Sequence, residues 1–263
     1  MESLSFDGLV EEYDRTRTLD PICFNAVLEY LVERYPPAEY CGVFEPGIGT
    51  GRIAIPLAQR GYCVTGVDIS GEMLAVLDAR MKATDGNLAV RWSIGDVCEL
   101  PFDDGVFDMA IAVHLFYFIR DWRTAADEIL RVVKPGGPVV LINTGHGKEI
   151  PFINDRYRQL SAELGCEITS IGAHGTADVL DFYADRGCGV EVVRDRWMWT
   201  LRTRLDEALG HIRARAYSFT TIASEQVHQA AVDRLEHELV EHYGDLEQTI
   251  EVPAQIYLAI VRR

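Results

Sequence analysis

Long apolar runs, a secretory leader and paired cysteines are all missing from this sequence. No stretch approaches the roughly 18 consecutive apolar residues that a membrane span requires. The N-terminal stretch MESLSFDGLVEEYDRTRTLD lacks the basic and then apolar pattern of a secretory signal. The six cysteines are widely scattered and form no C-x-x-C pair, so they indicate neither a zinc site nor a disulfide scaffold. These absences predict a cytoplasmic protein with reduced thiols, no metal site and no membrane partner.

Basic residues are also scarce relative to acidic ones. The chain of 263 residues carries 25 lysines and arginines against 41 aspartates and glutamates, a formal net charge of −16. A surface of this charge repels phosphate backbones, which makes nucleic acid a poor candidate for a partner. The apolar fraction of 48 % is high enough to bury a large core, and the length suits one α/β domain. Monomer and homodimer both stay open.

Strand-like and helix-like segments alternate along the chain. Apolar residues at helical spacing separate most of the strands, and Ser70 and Asp121 are placed to begin two of the helices. FDMAIAVH is almost continuously apolar, as a strand buried on both faces is. The pattern predicts an α/β fold with a doubly wound, mostly parallel sheet of seven strands. The strand-like segments are CGVFEP, YCVTGVD, LAVRWSIGD, FDMAIAVH, PVVLINT, GVEVVRDRWMW and IEVPAQIYLAIVRR.

The alternation changes after Thr144. Additional helices are predicted within about 146–170 and 200–246, and we expect them to form a helical cap over the ligand end of the sheet. Pro253 in the last strand indicates an edge strand or a bulge, because proline cannot donate to a ladder. The chain, 1–263, is then a single domain whose cofactor-binding core takes in about 38–145, 172–199 and 247–263.

The segment VFEPGIGTGR places three glycines directly after the first predicted strand. Ligands of open α/β sheets bind at this turn, where glycine lets the backbone approach a ligand closely. A nucleoside triphosphate site needs a lysine in the turn, and none is present. GTGRIA fits the relaxed dinucleotide pattern G-x-G-x-x-A, so a dinucleotide stays open. Asp68, which ends the second strand, is placed to hold a ribose diol in either case.

Two further acids distinguish between these ligands. Glu45 lies at the mouth of the glycine turn, where a carboxylate repels a pyrophosphate but suits an ammonium group. Asp96 closes the third predicted strand, where it can accept a hydrogen bond from an adenine amino group. Together with Asp68 they describe a ligand with an ammonium, a ribose and an adenine but no phosphate, which is S-adenosylmethionine. The alternative is that these acids serve only as turn residues and caps.

Four stretches together resemble the successive motifs of class I S-adenosylmethionine-dependent methyltransferases. They are VFEPGIGTGR, VTGVDIS, GDVCELPFDDGVFDMAIAVHLFYFI and LRVVKPGGPVVL, and YDRTR near the N-terminus is also typical of the family. The resemblance covers about 43–143 and is strongest to the branch of ubiquinone- and menaquinone-type and other small-molecule methyltransferases. From Gly145 onward the sequence fits only the general plan of a variable substrate cap.

The resemblance implies S-adenosylmethionine as cofactor, S-adenosylhomocysteine as product, and a set of residues that hold them. In this set the acid and glycines of the turn hold the methionine end, Asp68 holds the ribose hydroxyls, and Asp96 reaches the adenine amine. Ile69 and Val97 enclose the adenine ring, and an N-terminal pair closes over the cofactor. The implied cofactor-binding residues are Tyr13, Arg17, Glu45, Gly47, Gly49, Gly51, Asp68, Ile69, Met73, Asp96, Val97, Val113 and His114.

Catalytic residues are harder to identify, because methyl transfer depends on alignment and exclusion of water. His114 ends the fourth predicted strand, and its imidazole is the candidate base; alternatively, it only packs and orients the cofactor. Tyr117 either orients a substrate or belongs to the core. His146 and His174 are either pocket residues or solvated loop residues.

The sequence therefore predicts an enzyme that methylates nitrogen, oxygen or carbon of a small organic molecule. The alternatives are C-methylation of a quinone precursor and a non-catalytic protein that binds S-adenosylmethionine. An NAD-dependent reductase is a third alternative, which Glu45 opposes. Aromatic side chains of the predicted cap region suit a planar, apolar or cationic acceptor, or else attach the cap to the sheet. They are Phe152, Tyr157, Trp197, Trp199, Tyr217 and Phe219.

Overall fold

The computed structural model describes residues 19–84, 86–147 and 149–263. Each strand-like segment of the sequence forms a strand in it. The strands are β1 (Gly42–Pro46), β2 (Cys63–Asp68), β3 (Val90–Ile94), β4 (Met109–Val113), β5 (Pro138–His146), β6 (Gly189–Arg204) and β7 (Thr249–Arg262). The helices are α1 (Pro21–Arg34), α2 (Ala54–Gln59), α3 (Gly71–Ala83), α4 (Trp122–Val132), α5 (Glu149–Glu163), α6 (Thr176–Asp185), α7 (Leu205–Arg213) and α8 (Glu225–Tyr243), with a short 3-10 turn at Ser218–Thr221.

The seven strands form one sheet in the order β3-β2-β1-β4-β5-β7-β6. Neighbours from β3 to β5 are parallel, whereas β7 runs antiparallel to both β5 and β6. The chain builds outward from β1 on one side and from β4 on the other, so the strand order reverses between them. This confirms the predicted doubly wound, mostly parallel sheet. It also puts the ligand crevice at the carboxyl ends of β1 and β4.

Helices cover both faces of the sheet, which explains the continuous apolar sequence of β4. Met109 and Ile111 belong to the core that α1, α2 and α3 cover, whereas Ala110 and Ala112 belong to the core beneath α4 and α6. Side chains alternate between the two faces of a strand, and here both faces are buried. Burial on both faces determines the strand register and thereby the position of the residues that follow β4.

Two predicted helix starts are confirmed. The Ser70 Oγ accepts the Met73 N–H at 3.1 Å and caps α3. The Asp121 Oδ1 accepts the Thr124 N–H at 3.3 Å and caps α4. Each cap satisfies a backbone donor that has no partner within its helix. Because Ser70 is buried and follows closely on Asp68, its cap also holds the chain where β2 ends.

Helices α5, α7 and α8 form a third hydrophobic core of their own, with Tyr157, Leu209 and Leu235 among its buried members. The chain enters α5 from β5 and α7 from β6. Both strands end at the same edge of the sheet, because β6 is antiparallel to β7 and therefore runs in the direction of β5. The three helices, called the cap below, thus lie at the carboxyl edge, where a ligand is expected.

Two details of this region differ from the sequence-based expectation. Strand β6 continues to Arg204, past the predicted boundary at 199, because β7 begins at Thr249 and supplies ladder partners for β6 from Trp197 to Arg204. The prediction that Pro253 marks an edge strand or a bulge is wrong, since β7 lies between β5 and β6 and pairs with β6 in continuous register through Pro253. Proline is tolerated at Pro253 because the pairing of β7 with β5 ends at Ala254, so the missing N–H falls beyond that ladder.

In the described part of the chain, no helix is long and apolar enough to cross a membrane. The same residues contain no group of three or more His, Cys, Asp or Glu side chains that could hold a metal ion. The six cysteines are free thiols. A cytoplasmic location and the lack of a metal cofactor stay predictions from the sequence.

Candidate active site

A pocket opens at the carboxyl ends of β1 to β4, where the strand order reverses. Glu45 and Gly51 lie in the glycine turn beside it but not in its wall, and Tyr13 and Arg17 fall outside the described residues. The fold brings the other implied cofactor residues together from four separate loops. Those that line the pocket are Gly47, Gly49, Asp68, Ile69, Met73, Asp96, Val97, Val113 and His114.

Asp68 connects the end of β2 to the glycine turn. Its Oδ2 accepts the Gly49 N–H at 2.8 Å, and its Oδ1 accepts the Ser70 N–H at 2.9 Å. These two backbone donors hold the carboxylate in the pocket wall in a defined orientation. A carboxylate oxygen can accept more than one hydrogen bond, so a group held in this way suits a vicinal diol.

Glu45 is a buried acid without a full set of partners. The residue is 3 % exposed, and its Oε2 has no hydrogen-bond partner among the described residues. Burial raises the pKa of the carboxyl well above its usual range, and the charge of Asp68 raises it further, while Arg52 and the Ala54 N–H lower it. An unpaired buried carboxylate is unfavourable. A ligand ammonium would supply the missing charged donor.

The backbone of the turn explains why glycine occupies it. Gly47, Gly49 and Gly51 have φ values of 68°, 53° and 75°, in the left-handed region that side chains oppose. At Gly51 a Cβ atom would also lie 2.3 Å from Leu77 Cδ1 of α3. The turn can therefore pack against α3 only if this position lacks a side chain.

We expect Gly51→Ala to lower the free energy of unfolding by about 1–2 kcal/mol, because the backbone conformation and the contact with Leu77 both oppose a side chain. Urea unfolding followed by circular dichroism measures the change. Gly210→Ala in α7 is the matched control: no atom lies within 4 Å of the added Cβ, and alanine favours a helix. Equal losses in the two variants would contradict the packing argument.

The loops after β2 and β3 combine apolar side chains with a carboxylate. Ile69 is 41 % exposed although it lines the pocket, so it presents an apolar surface that a ligand ring would cover. Val97 lies in the same wall and is buried. The Asp96 Oδ1 accepts the Cys98 N–H at 2.8 Å, which orients the carboxylate at the end of β3. This combination fits an adenine ring, which has apolar faces and an amine that donates.

His114 lies where β4 ends and where two pockets meet. Its φ of 50° is left-handed, a conformation that costs a residue with a side chain about 1–3 kcal/mol. Its Nε2 lies 3.2 Å from Thr144 Oγ1 of β5, which orients the ring. The ring lines the cofactor pocket and also a second cavity of about 650 Å³ between the sheet and the cap. Backbone strain of this kind is concentrated at functional sites, which favours a functional role for His114.

The second cavity, called the acceptor cavity below, shares His114 and Phe118 with the cofactor pocket. Of the other histidine candidates, His146 lines it, whereas His174 lines a separate pocket. Of the aromatic candidates, two line the acceptor cavity, Trp199 and Tyr217. The others do not: Tyr157 and Trp197 are buried in hydrophobic cores, Phe219 lines the separate pocket, and Phe152 is exposed.

Tyr117 belongs to a hydrogen-bond network. The Tyr117 hydroxyl lies 3.3 Å from Asn143 Oδ1 and 2.8 Å from Thr176 Oγ1. The Thr176 hydroxyl in turn lies 2.9 Å from the Tyr257 hydroxyl. Burial raises the pKa of Tyr117, and the hydrogen bond with Thr176 opposes the rise. The network connects the loop after β4 to β5, α6 and β7. It favours a structural or orienting role for Tyr117, and its catalytic role stays a prediction.

Three pocket residues have no distinguishing signal in the sequence. Leu115, Phe118 and Ile119 line the cofactor pocket, but their apolar character is the same as that of core residues. One signal was available, namely the position of these residues directly after β4. The strand order reverses between β1 and β4, so the loop after β4 lies beside the glycine turn that follows β1. Any residue of HLFYFI is therefore a pocket candidate, and only the path of the loop selects among them.

The pocket thus offers two acids in its wall, Asp68 and Asp96, together with apolar side chains and a glycine turn, and a third acid, Glu45, is buried beside it. Among the described residues that line it, none is lysine or arginine, and the carboxylate of Glu45 beside the glycine turn repels a pyrophosphate. These carboxylates and apolar side chains fit a ligand with an ammonium, a ribose and an adenine, and they are unfavourable for a dinucleotide. The fold is that of a doubly wound, nucleoside-binding protein. Its pocket suits a nucleoside ligand that carries a positive charge and no phosphate.

Comparison with known proteins identifies the family. The family model described as a methyltransferase domain matches residues 44–141. An uncharacterized methyltransferase of Mycobacterium bovis is 30 % identical over 244 residues, covering 91 % of this chain and 87 % of that protein. A demethylmenaquinone methyltransferase of Thermus thermophilus is 37 % identical over 102 residues, 38 % of this chain and 46 % of that protein. The chain belongs to the class I S-adenosylmethionine-dependent methyltransferases, as its sequence motifs predict.

A solved structure shows the same fold. The crystal structure of the YcgJ protein of Bacillus subtilis superimposes with a TM-score of 0.61 at 18 % identity. The match covers 91 % of this chain and 99 % of that one. A match over this share of the chain extends beyond the strands that carry the cofactor pocket.

Proposed function

We propose that this enzyme transfers a methyl group from S-adenosylmethionine to a small organic molecule bound in the acceptor cavity. The observation that carries the proposal is that the cofactor pocket and this cavity share His114 and Phe118. A methyl donor in the pocket and an acceptor in the cavity would therefore meet at the end of β4. The family defines the kind of reaction, and the cavity would select the acceptor.

Different residues of the pocket would hold different parts of the cofactor. Glu45 would pair with its ammonium, Asp68 would accept from the ribose hydroxyls, and Asp96 would accept from the adenine amine. Ile69 and Val97 would cover the adenine ring. When bound, S-adenosylmethionine supplies a methyl group that a positively charged sulfur activates for displacement.

The chain's own contribution to the reaction would be alignment and exclusion of water. Thr144 holds the His114 ring at the junction of the two pockets, where it would either orient the cofactor or accept a proton from the acceptor. The hydrogen bonds among Tyr117, Thr176 and Tyr257 tie the loop after β4 to the sheet. That loop, with Phe118, would hold the junction in a fixed shape.

We assign acceptor binding to the cap helices within 146–170 and 200–246, and cofactor binding to the rest of the single domain. Ile150, Ala208 and His211 of the cap line the acceptor cavity, which supports this division. The net charge of −16 supports a small-molecule acceptor over nucleic acid, and the scattered cysteines support a cytoplasmic location. Both a monomer and a homodimer fit the proposal.

Titration calorimetry with S-adenosylmethionine and with NAD tests the cofactor. We expect dissociation constants in the micromolar range for S-adenosylmethionine. We expect no heat from NAD, because the Glu45 carboxylate beside the glycine turn would repel its pyrophosphate. Binding of NAD without binding of S-adenosylmethionine would overturn the proposed cofactor and leave the fold unchanged.

C-methylation of a quinone precursor is the second candidate. The similarity to a demethylmenaquinone methyltransferase favours it, but that match covers 38 % of this chain. Mass spectrometry of a reaction with demethylmenaquinone distinguishes the two candidates. An added methyl group supports C-methylation of a quinone precursor. An unmethylated product contradicts this candidate and leaves the proposal of another small organic acceptor in place. A non-catalytic binder would bind S-adenosylmethionine and yield no methylated product with any acceptor.

A further inference from the structure

The acceptor cavity has a chemical character that the whole chain does not share. The protein as a whole has a net charge of −16, but histidines outnumber acids among the described residues that line this cavity. Its charged and titratable side chains are two tyrosines, His114, His146, His211, Arg202 and Asp20. Asp20, the one acid among the described residues that line the cavity, is engaged at the start of α1, where its Oδ1 accepts the Cys23 N–H at 2.8 Å. The cavity therefore offers imidazoles rather than carboxylates. That suits an acceptor which gives up a proton, and it disfavours a cationic acceptor.

Two flat side chains lie on the same face of the sheet in this cavity. His146 of β5 pairs with Ala254 of β7, and Ala254 pairs with Trp199 of β6. Residues directly opposite each other on neighbouring strands point to the same face. The backbones of His146 and Trp199 are therefore two strand spacings apart, about 9–10 Å, with only a methyl side chain between them. A gap of this size accommodates one planar ring that stacks on the indole and directs a polar group at the imidazole.

His146 also continues a row of side chains that begins at the methyl-transfer junction. Thr144, on the same face of β5, lies 3.2 Å from His114 Nε2. Two residues along a strand span about 7 Å, so a ring beside His146 reaches toward His114. Partial burial in the cavity wall lowers the pKa of the His146 imidazole below the usual value, while the residue as a whole stays exposed to solvent. Near neutral pH this imidazole is uncharged and able to accept a proton.

We propose that the acceptor is a phenol, a planar aromatic ring with an acidic hydroxyl, which stacks on the Trp199 indole, directs its hydroxyl at the His146 imidazole and gives its proton to His146. The inference rests on the proposed function, since it specifies the substrate class of that same site. The phenol O–H bond breaks as its proton moves to an imidazole nitrogen of His146. The oxygen then bonds to the methyl carbon while the carbon–sulfur bond breaks and its electron pair stays on sulfur. A methyl ether and S-adenosylhomocysteine leave, and His146 releases the proton to water.

The probe 4-nitrophenol tests this proposal, because its phenolate absorbs visible light and its neutral form does not. The full-length enzyme, saturated with S-adenosylhomocysteine, is titrated with the probe at a pH below the probe's own pKa. We expect the probe to show more of the phenolate band when bound than when free at the same pH, and His146→Gln to bind it without that increase. Trp199→Leu is expected to bind the probe about tenfold more weakly, since the stacking surface is lost. His237→Gln is the matched control, because this histidine of α8 is exposed.

The possible failures are distinguishable. An increase of the phenolate band that persists in His146→Gln would overturn the role of His146, and unchanged affinity in Trp199→Leu would overturn the binding position. An enzyme that binds S-adenosylhomocysteine in calorimetry but not the probe would overturn the phenol class alone. Loss of S-adenosylhomocysteine binding by the unsubstituted enzyme would contradict the proposed function itself. Wild-type affinity for S-adenosylhomocysteine in each variant shows that it is folded.

Discussion

Asp68→Ala is expected to weaken S-adenosylmethionine binding about 100-fold, or roughly 2.7 kcal/mol. The substitution removes the acceptor for the ribose hydroxyls, and a hydrogen bond to a charged group contributes about 1.5–3 kcal/mol. It also removes the carboxylate that holds the Gly49 and Ser70 N–H groups, so the glycine turn loses its connection to β2. Titration calorimetry on the purified variant measures the affinity.

Asp78→Ala is the matched control for this prediction. Asp78 lies on α3, a short distance along the chain from Asp68, and forms an exposed ion pair with Lys82. We expect its loss to leave cofactor affinity unchanged, because surface ion pairs contribute little. If Asp68→Ala binds S-adenosylmethionine as tightly as this control does, the ribose does not lie at the end of β2, and the proposed cofactor position is wrong.

Glu45→Gln is expected to weaken S-adenosylmethionine binding by a similar factor and, at the same time, to stabilise the ligand-free protein at neutral pH. Glutamine keeps the shape of the side chain and an acceptor for the Ala54 N–H, but it has no charge to pair with a ligand ammonium. Without a ligand, the wild-type carboxylate is buried and its Oε2 has no hydrogen-bond partner in the described part of the chain, which is unfavourable. Calorimetry measures the affinity, and thermal unfolding measures the stability.

The pH dependence of stability tests the same carboxyl group. The pKa of Glu45 in the folded protein lies well above its usual value, so the folded state holds this proton more tightly than the unfolded chain does. The stability that Glu45 contributes is therefore present at low pH and is lost as the pH rises from the usual carboxyl range through the raised pKa. We expect the melting temperature of the ligand-free wild type to fall over this interval more than that of Glu45→Gln.

Glu39→Gln, at an exposed position before β1, controls for the general effect of removing one negative charge. It should follow the wild-type pH profile and keep wild-type affinity for S-adenosylmethionine. The explanation would fail if Glu45→Gln also kept wild-type affinity and the wild-type pH profile. The Glu45 carboxyl would then be satisfied within the protein, without any need for a ligand ammonium.

Much of the fold was predictable because its signals are local. The uninterrupted apolar run of β4 indicated burial on both faces, and Met109 and Ala110 indeed belong to two different cores. Ser70 and Asp121 marked helix starts through a hydrogen bond that spans only three residues. The spacing of strands and helices then left few topologies open, since parallel neighbours need crossover helices.

Features that depend on which strands become neighbours were not predictable in the same way. Pro253 indicated an edge strand, but the tolerance of proline depends on where the ladder with β5 stops, which is a property of two distant segments. The sequence did not decide between a catalytic and a core role for Tyr117. Its contact with Thr176 exists only because α6 packs beside the loop after β4. No local pattern encodes such contacts.

The sequence by itself determined the class of the protein: the α/β alternation, the glycine turn, and the acids Glu45, Asp68 and Asp96 at successive strand ends. These features are sufficient because a doubly wound sheet brings the ends of consecutive strands to one edge. Only the tertiary structure decided that Glu45 is buried with an unpartnered oxygen, that His114 joins two pockets, and that His146 and Trp199 lie across Ala254. Burial and strand pairing join residues far apart in the chain, so no local sequence pattern specifies them.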